Sequence, residues 1–186
     1  MDECRQSVTA VHLADDDSMD DCQHECFKTI SSVFNLHNTS TTHELSVFLD
    51  GQRLRHECHP TYLRVTLDRT LSYREHLTKT AGKMKNRNNL LMKLAGSTWD
   101  ASANTLWSSA LVLCYSAAEH CAQVWSRSAH KSQVNVQLNS TMRLISGTLR
   151  STPLPWLPVL SNIEPPALRR KAATDKLVEW YRYSRV

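Results

Sequence analysis

The sequence predicts an α+β protein: a small antiparallel β-hairpin sheet followed by a helical bundle of about four helices. Three observations carry this. Residues 31–68 hold short runs of β-branched and aromatic residues broken by turn signals. From residue 72 onward apolar residues recur at spacings of four and three, the helical period. Residues 151–166 then hold five of the six prolines, a break before a final helical stretch.

The elements follow in order. Ser32–Leu36 and Leu45–Leu49 read as strands, and Asp50-Gly51 is a strong hairpin signal because both central positions of a type I′ turn need positive φ. Gln52–His56 returns from that turn, and Tyr62–Leu67 is a further strand. Ser72-Tyr-Arg-Glu75 spells a capping box. It opens a helix whose stripe is Leu77, Ala81, Met84, Asn88 and Leu91, stopping at Gly96. A second helix is expected over about 101–125, capped by Asp100. It carries two stripes, Leu106/Ala110/Leu113/Ala117 and Trp107/Leu111/Cys114/Ala118/Cys121/Trp125, as a central buried helix would. A third helix, about 130–146, carries Val134, Leu138, Met142 and Ile145 and ends at Gly147. The proline-rich stretch is expected to be a loop without regular helix, packed down through Leu154, Trp156, Leu157, Val159 and Leu160. Pro165-Pro166 opens a last helix with the stripe Leu168, Ala172, Leu177, Trp180 and Tyr181. Most Trp and Tyr residues fall on these stripes and are expected in the core, Tyr62 and Tyr73 least clearly.

Charge divides the chain. Residues 1–27 carry eight acids and one base, while residues 28–186 carry 21 bases and ten acids, which leaves the net charge of +4. Three regions result: an acidic 1–30, expected to be largely disordered with a strand remnant near Val8 to Leu13; a small sheet over 31–70; and a helical region over 71–186. A basic body favours polyanionic partners such as nucleic acid, although scattered Lys and Arg also suit a solvated face.

No apolar run approaches the ~20 residues of a membrane helix. The opening MDECRQ has neither the basic nor the apolar region of a secretory signal. The expectation is an intracellular protein, cytoplasmic or nuclear, with no membrane partner. The six cysteines are then expected to be free thiols. Cys22/His24/Cys26 and His56/Cys58/His59 lack the paired spacing of a zinc site, so no metal is assigned. No Gly-x-Ser-x-Gly elbow or supported Cys–His pair is present.

One resemblance spans much of the chain. Residues 61–77, 87–96, 114–119, 137–147, 153–158 and 162–172 resemble, in the expected order, the segment after the polymerase core of jockey-like non-LTR retrotransposon reverse transcriptases. The match covers roughly residues 27–178. It implies the end of the palm, its small hairpin, and a thumb-like helical region that holds the template–primer duplex. Such RNA-directed DNA polymerases use two magnesium ions held by palm aspartates. Here the corresponding stretch is Leu13-Ala14-Asp15-Asp16, with Leu13 in place of tyrosine. The resemblance implies that the family's upstream palm strand and fingers are not represented in these 186 residues. The resemblance thus implies a fragment of a mobile element in which Asp15 and Asp16 are vestigial catalytic residues, with no cofactor of its own and no polymerase activity alone. It also points to Lys79, Lys83, Lys85, Arg87 and Lys93 as contacts to an RNA or DNA duplex. The alternative is a non-enzymatic nucleic-acid-binding or protein-interaction module. The family has glycine at Arg64, and Trp107 and Gln123 stand where arginine and proline are expected.

Overall fold

A computed structural model describes residues 8–11, 30–34, 46–49, 51–96 and 101–184. It divides into two compact units, Met1–His76 and Leu77–Val186. The architecture is α+β, short strand pairs followed by helices.

In the first unit, β1 (Val8–Val11) lies antiparallel to β2 (Ile30–Val33), with Val8 opposite Val33 and Val11 opposite Ile30. Part of the acidic region is therefore a strand. Two two-residue strands, β3 (Phe48–Leu49) and β4 (Gln52–Arg53), form the expected hairpin, with Gly51 at φ +78°. β5 (Arg55–His56) follows directly and pairs with β2 in parallel, not as the antiparallel return the sequence suggested. Parallel neighbours need a crossover of a dozen residues or more, and the stretch carrying the β3–β4 hairpin supplies it. Two serines fix the pairing. Ser32 Oγ donates to the Glu57 carbonyl at 2.8 Å, and Ser31 Oγ donates to the Arg55 carbonyl at 3.4 Å.

The expected strand Tyr62–Leu67 is instead a tight hairpin of β6 (Thr61–Tyr62) and β7 (Val65–Thr66). Leu63 and Arg64 form its two-residue turn at φ +47° and +63°. An apolar, β-branched run concealed a turn because neither residue is a usual turn former. The following loop is organised by Asp68. Its carboxylate accepts from the Tyr73 backbone N–H at 2.7 Å, from Thr70 Oγ1 at 3.2 Å and from Ser72 Oγ. Ser72 Oγ in turn accepts from the Arg74 N–H at the start of the first helix.

That helix, α1 (Arg74–Leu94), buries Leu77, Thr80, Met84, Asn88 and Leu91, close to the expected stripe. The expected single helix over 101–125 is broken into pieces. α2 (Ala103–Ala110), capped by Ser102, runs into a π-helical turn at Leu111–Tyr115 and then α3 (Ser116–Glu119). Cys121 turns left-handed at φ +50° before α4 (Ala122–Trp125). The wide turn rotates the buried face. Leu106 and Ala110 belong to one sequence stripe, whereas Cys114, Ala118 and Trp125 belong to the other, and all five are buried. Leu113, expected in the core, is only part-buried, and Tyr115 takes a core position at 1% exposure.

α5 (Ser132–Ser146) buries Val134, Leu138, Thr141 and Met142 and ends at Gly147, left-handed at φ +63°. The proline-rich stretch is not wholly irregular. A 3₁₀ turn at Leu154–Trp156 leads into α6 (Leu157–Ser161), in which Pro158 sits in the first turn, where its missing N–H costs nothing. Of the apolar residues expected to pin it down, only Leu157 is buried; Leu154, Trp156, Val159 and Leu160 are exposed. The last helix, α7 (Pro166–Tyr183), starts at the expected prolines. Its expected apolar stripe is exposed from Leu168 to Tyr181, and its one buried residue is Arg170. The first turns dock through polar groups. Arg169 forms a bidentate pair with Glu119, Arg170 Nη1 donates to Asn135 Oδ1 at 2.9 Å, and Gln123 Nε2 donates to the Ala173 carbonyl. Leu177, Trp180 and Tyr181 continue the same side of the helix and are exposed. No described helix is long and apolar enough to cross a membrane.

Candidate nucleic-acid interface

The five cations marked on α1 do not form one surface. At about 100° per residue, Lys79, Lys83 and Arg87 fall on one flank of the buried stripe, Lys85 falls on the other, and Lys93 lies opposite the stripe. Lys79, Lys83, Lys85 and Lys93 are exposed. Arg87 is part-buried, and its Nη1 donates to the Leu113 carbonyl in the π-helical turn. That guanidinium is partly committed to joining α1 to the second helical run. Asp15 and Asp16 lie outside the described residues, as do Cys22, His24 and Cys26.

Lys85 opens onto a groove that sequence spacing alone does not reveal. Asn88, Asn89 and Met92 of α1 form one wall, and Gln137, Ser140 and Arg143 of α5 form the other. Arg150, beyond the end of α5, also lines it. The groove encloses about 820 Å³ and has no acidic lining residue. Three cations from three stretches of chain therefore face one concavity, alongside amide and hydroxyl groups. None of the three forms an ion pair among the described residues. Arg143 Nη2 donates to the Thr152 carbonyl at 3.4 Å, while its Nε is shut away from solvent without an acceptor among the described residues.

The walls are held at fixed spacing by a buried polar cluster. Thr141 Oγ1 donates to Asn88 Oδ1 at 2.7 Å, Cys114 Sγ donates to the same oxygen at 3.4 Å, and Asn88 Nδ2 donates to the Gln137 carbonyl at 3.1 Å. Burial pushes the Cys114 thiol up, against the hydrogen bond with Thr141 and the Arg87 charge, so it stays a neutral donor. Farther along α1, Thr78 Oγ1 donates to Gln133 Oε1 at 3.0 Å. A fixed pair of helices with unpaired cations between them can hold an extended polyanion by its charges and hydrogen-bond acceptors. Among the described residues, no group of three or more His, Cys, Asp or Glu side chains gathers as a metal site. Arg143 and Arg150 were missed from sequence because they belong to no basic run; only the pairing of α1 with α5 brings them to Lys85.

Comparison of the chain with protein-family models, with curated proteins and with solved structures finds no match.

Proposed function

We propose that the chain is the end-of-palm and thumb-like part of a jockey-like non-LTR reverse transcriptase, and that it holds a nucleic-acid duplex without copying it. The observation that supports the binding role is the α1–α5 groove, in which Lys85, Arg143 and Arg150 form no ion pair among the described residues and no acid lines the wall. Contacts of that kind go to phosphates, position the protein and carry no sequence information. The outer face of α1, with Lys79, Lys83 and Lys93, adds to the field that draws the duplex in. On this reading the chain works inside the cell, in cytoplasm or nucleus, where its template lies. On this reading Asp15 and Asp16 are vestigial, and the expected result is no primer extension by the chain alone. Fluorescence anisotropy with a labelled RNA–DNA duplex tests the proposal. Binding that weakens with salt supports it, and no binding at low salt overturns it.

A second reading, a protein-interaction module, has its own observation. Leu177, Val178, Trp180, Tyr181 and Tyr183 are all at least 45% exposed along the second half of α7. An apolar patch of this kind favours self-association. Sedimentation that stays monomeric at high concentration without nucleic acid removes this reading.

A further inference from the structure

A second polar concavity lies away from the groove. It encloses about 380 Å³ beside α7, and Lys131, Asn135, Arg170, Lys171 and Asp175 are among the residues that line it. Arg170 is its centre. The residue is 7% exposed, its Nη1 donates to Asn135 Oδ1, and its guanidinium carbon stands 5.7 Å from the centre of the Trp125 ring. Among the described residues, no carboxylate forms an ion pair with it. Glu119, the acid whose field reaches it, is taken up in the bidentate pair with Arg169. Burial therefore works against the charge of Arg170 with only partial compensation.

A buried guanidinium without a counter-ion is costly, and an anion bound beside it removes that cost. Lys131 and Lys171 are exposed at the rim and form no ion pair among the described residues. Against these three cations stands one acid, Asp175, which leaves a formal charge of +2 at the site. We propose that this pocket binds a phosphate group, with Arg170 as the buried ligand and Lys131 and Lys171 as the rim cations. The dianion matches the formal charge, and the planar fork of arginine suits phosphate oxygens. A single carboxylate would leave one positive charge unmatched. The phosphate is either that of a small molecule or one from a nucleic-acid backbone.

The test uses the full chain and inorganic phosphate, titrated by calorimetry at constant ionic strength. Replacing Arg170 risks the fold, so the variants are at the rim. Lys131→Gln with Lys171→Gln should weaken phosphate binding by about tenfold or more, the value of one lost charge-assisted hydrogen bond. Asp175→Asn should tighten it, because a like charge leaves the site. Arg53→Gln, an exposed cation on the β3–β4 hairpin that lines neither concavity, should leave it unchanged. No phosphate binding at millimolar concentration, or binding equal in wild type and the double variant, overturns the proposal. A duplex that displaces phosphate in the wild type identifies a backbone phosphate as the ligand. Phosphate retained in the presence of saturating duplex identifies a small-molecule phosphate.

Discussion

Thr141 and Asn88 meet across the α1–α5 interface through a 2.7 Å hydrogen bond, with Thr141 fully buried and Asn88 8% exposed. This contact ties the two walls of the basic groove together in the core beneath it. Thr141→Val keeps the shape and removes the hydroxyl, leaving Asn88 Oδ1 with only a weak thiol donor. The expected cost is about 1–3 kcal/mol, read as a fall in the urea midpoint at unchanged slope. A midpoint equal to wild type would show that the pair contributes nothing net.

Much of the helical part was legible from spacing and caps. Leu77, Met84, Asn88 and Leu91 lie on one face of α1 as expected, and Gly147 ends α5 in the left-handed conformation that glycine tolerates. The second helical run was misread because periodicity carries no mark of a π-helical turn. The extra residue per turn moves the core from one stripe to the other, so Tyr115 replaces Leu113 inside. Trp107 and Gln123 each donate a hydrogen bond, to the Ser161 and Ala173 carbonyls, which the sequence does not foretell. The groove was half legible. Lys85 was identified, but Arg143 and Arg150 reach it only through tertiary packing.

The Leu63-Arg64 turn is a local conflict. Both residues hold positive φ, which costs an L-residue about 1–2 kcal/mol. Arg64→Gly should raise stability by about 1 kcal/mol, the relief of strain exceeding the entropy added to the unfolded chain. Thermal unfolding checks it, and a lowered Tm would contradict the turn geometry.

Asp68 makes the β7–α1 loop sensitive to acid. Burial favours the protonated carboxyl, but hydrogen bonds from Ser72, from the Tyr73 and Asp68 backbone and from Thr70 outweigh it, so its pKa lies below the usual value of 3.8. A depressed folded pKa contributes stability above the unfolded value and loses it as pH falls through the folded one. Stability should therefore decline below about pH 4, and Asp68→Asn should be less stable at neutral pH with a flatter acid limb. Urea titrations over pH 2–7 measure both, and parallel acid limbs in the two proteins would contradict this role.

The central claim is that the α1–α5 groove, rather than the outer face of α1, holds the duplex. Its most direct measurement is the salt dependence of duplex affinity in two triple variants, followed by anisotropy. Each phosphate contact contributes a slope of about −0.9 in log affinity against log salt. Lys85→Gln, Arg143→Gln and Arg150→Gln together should flatten the slope by up to about 2.7. Lys79→Gln, Lys83→Gln and Lys93→Gln should change it by less, with helicity intact in both. A slope unchanged in the groove variant, with the loss falling on the outer-face variant, would contradict the account.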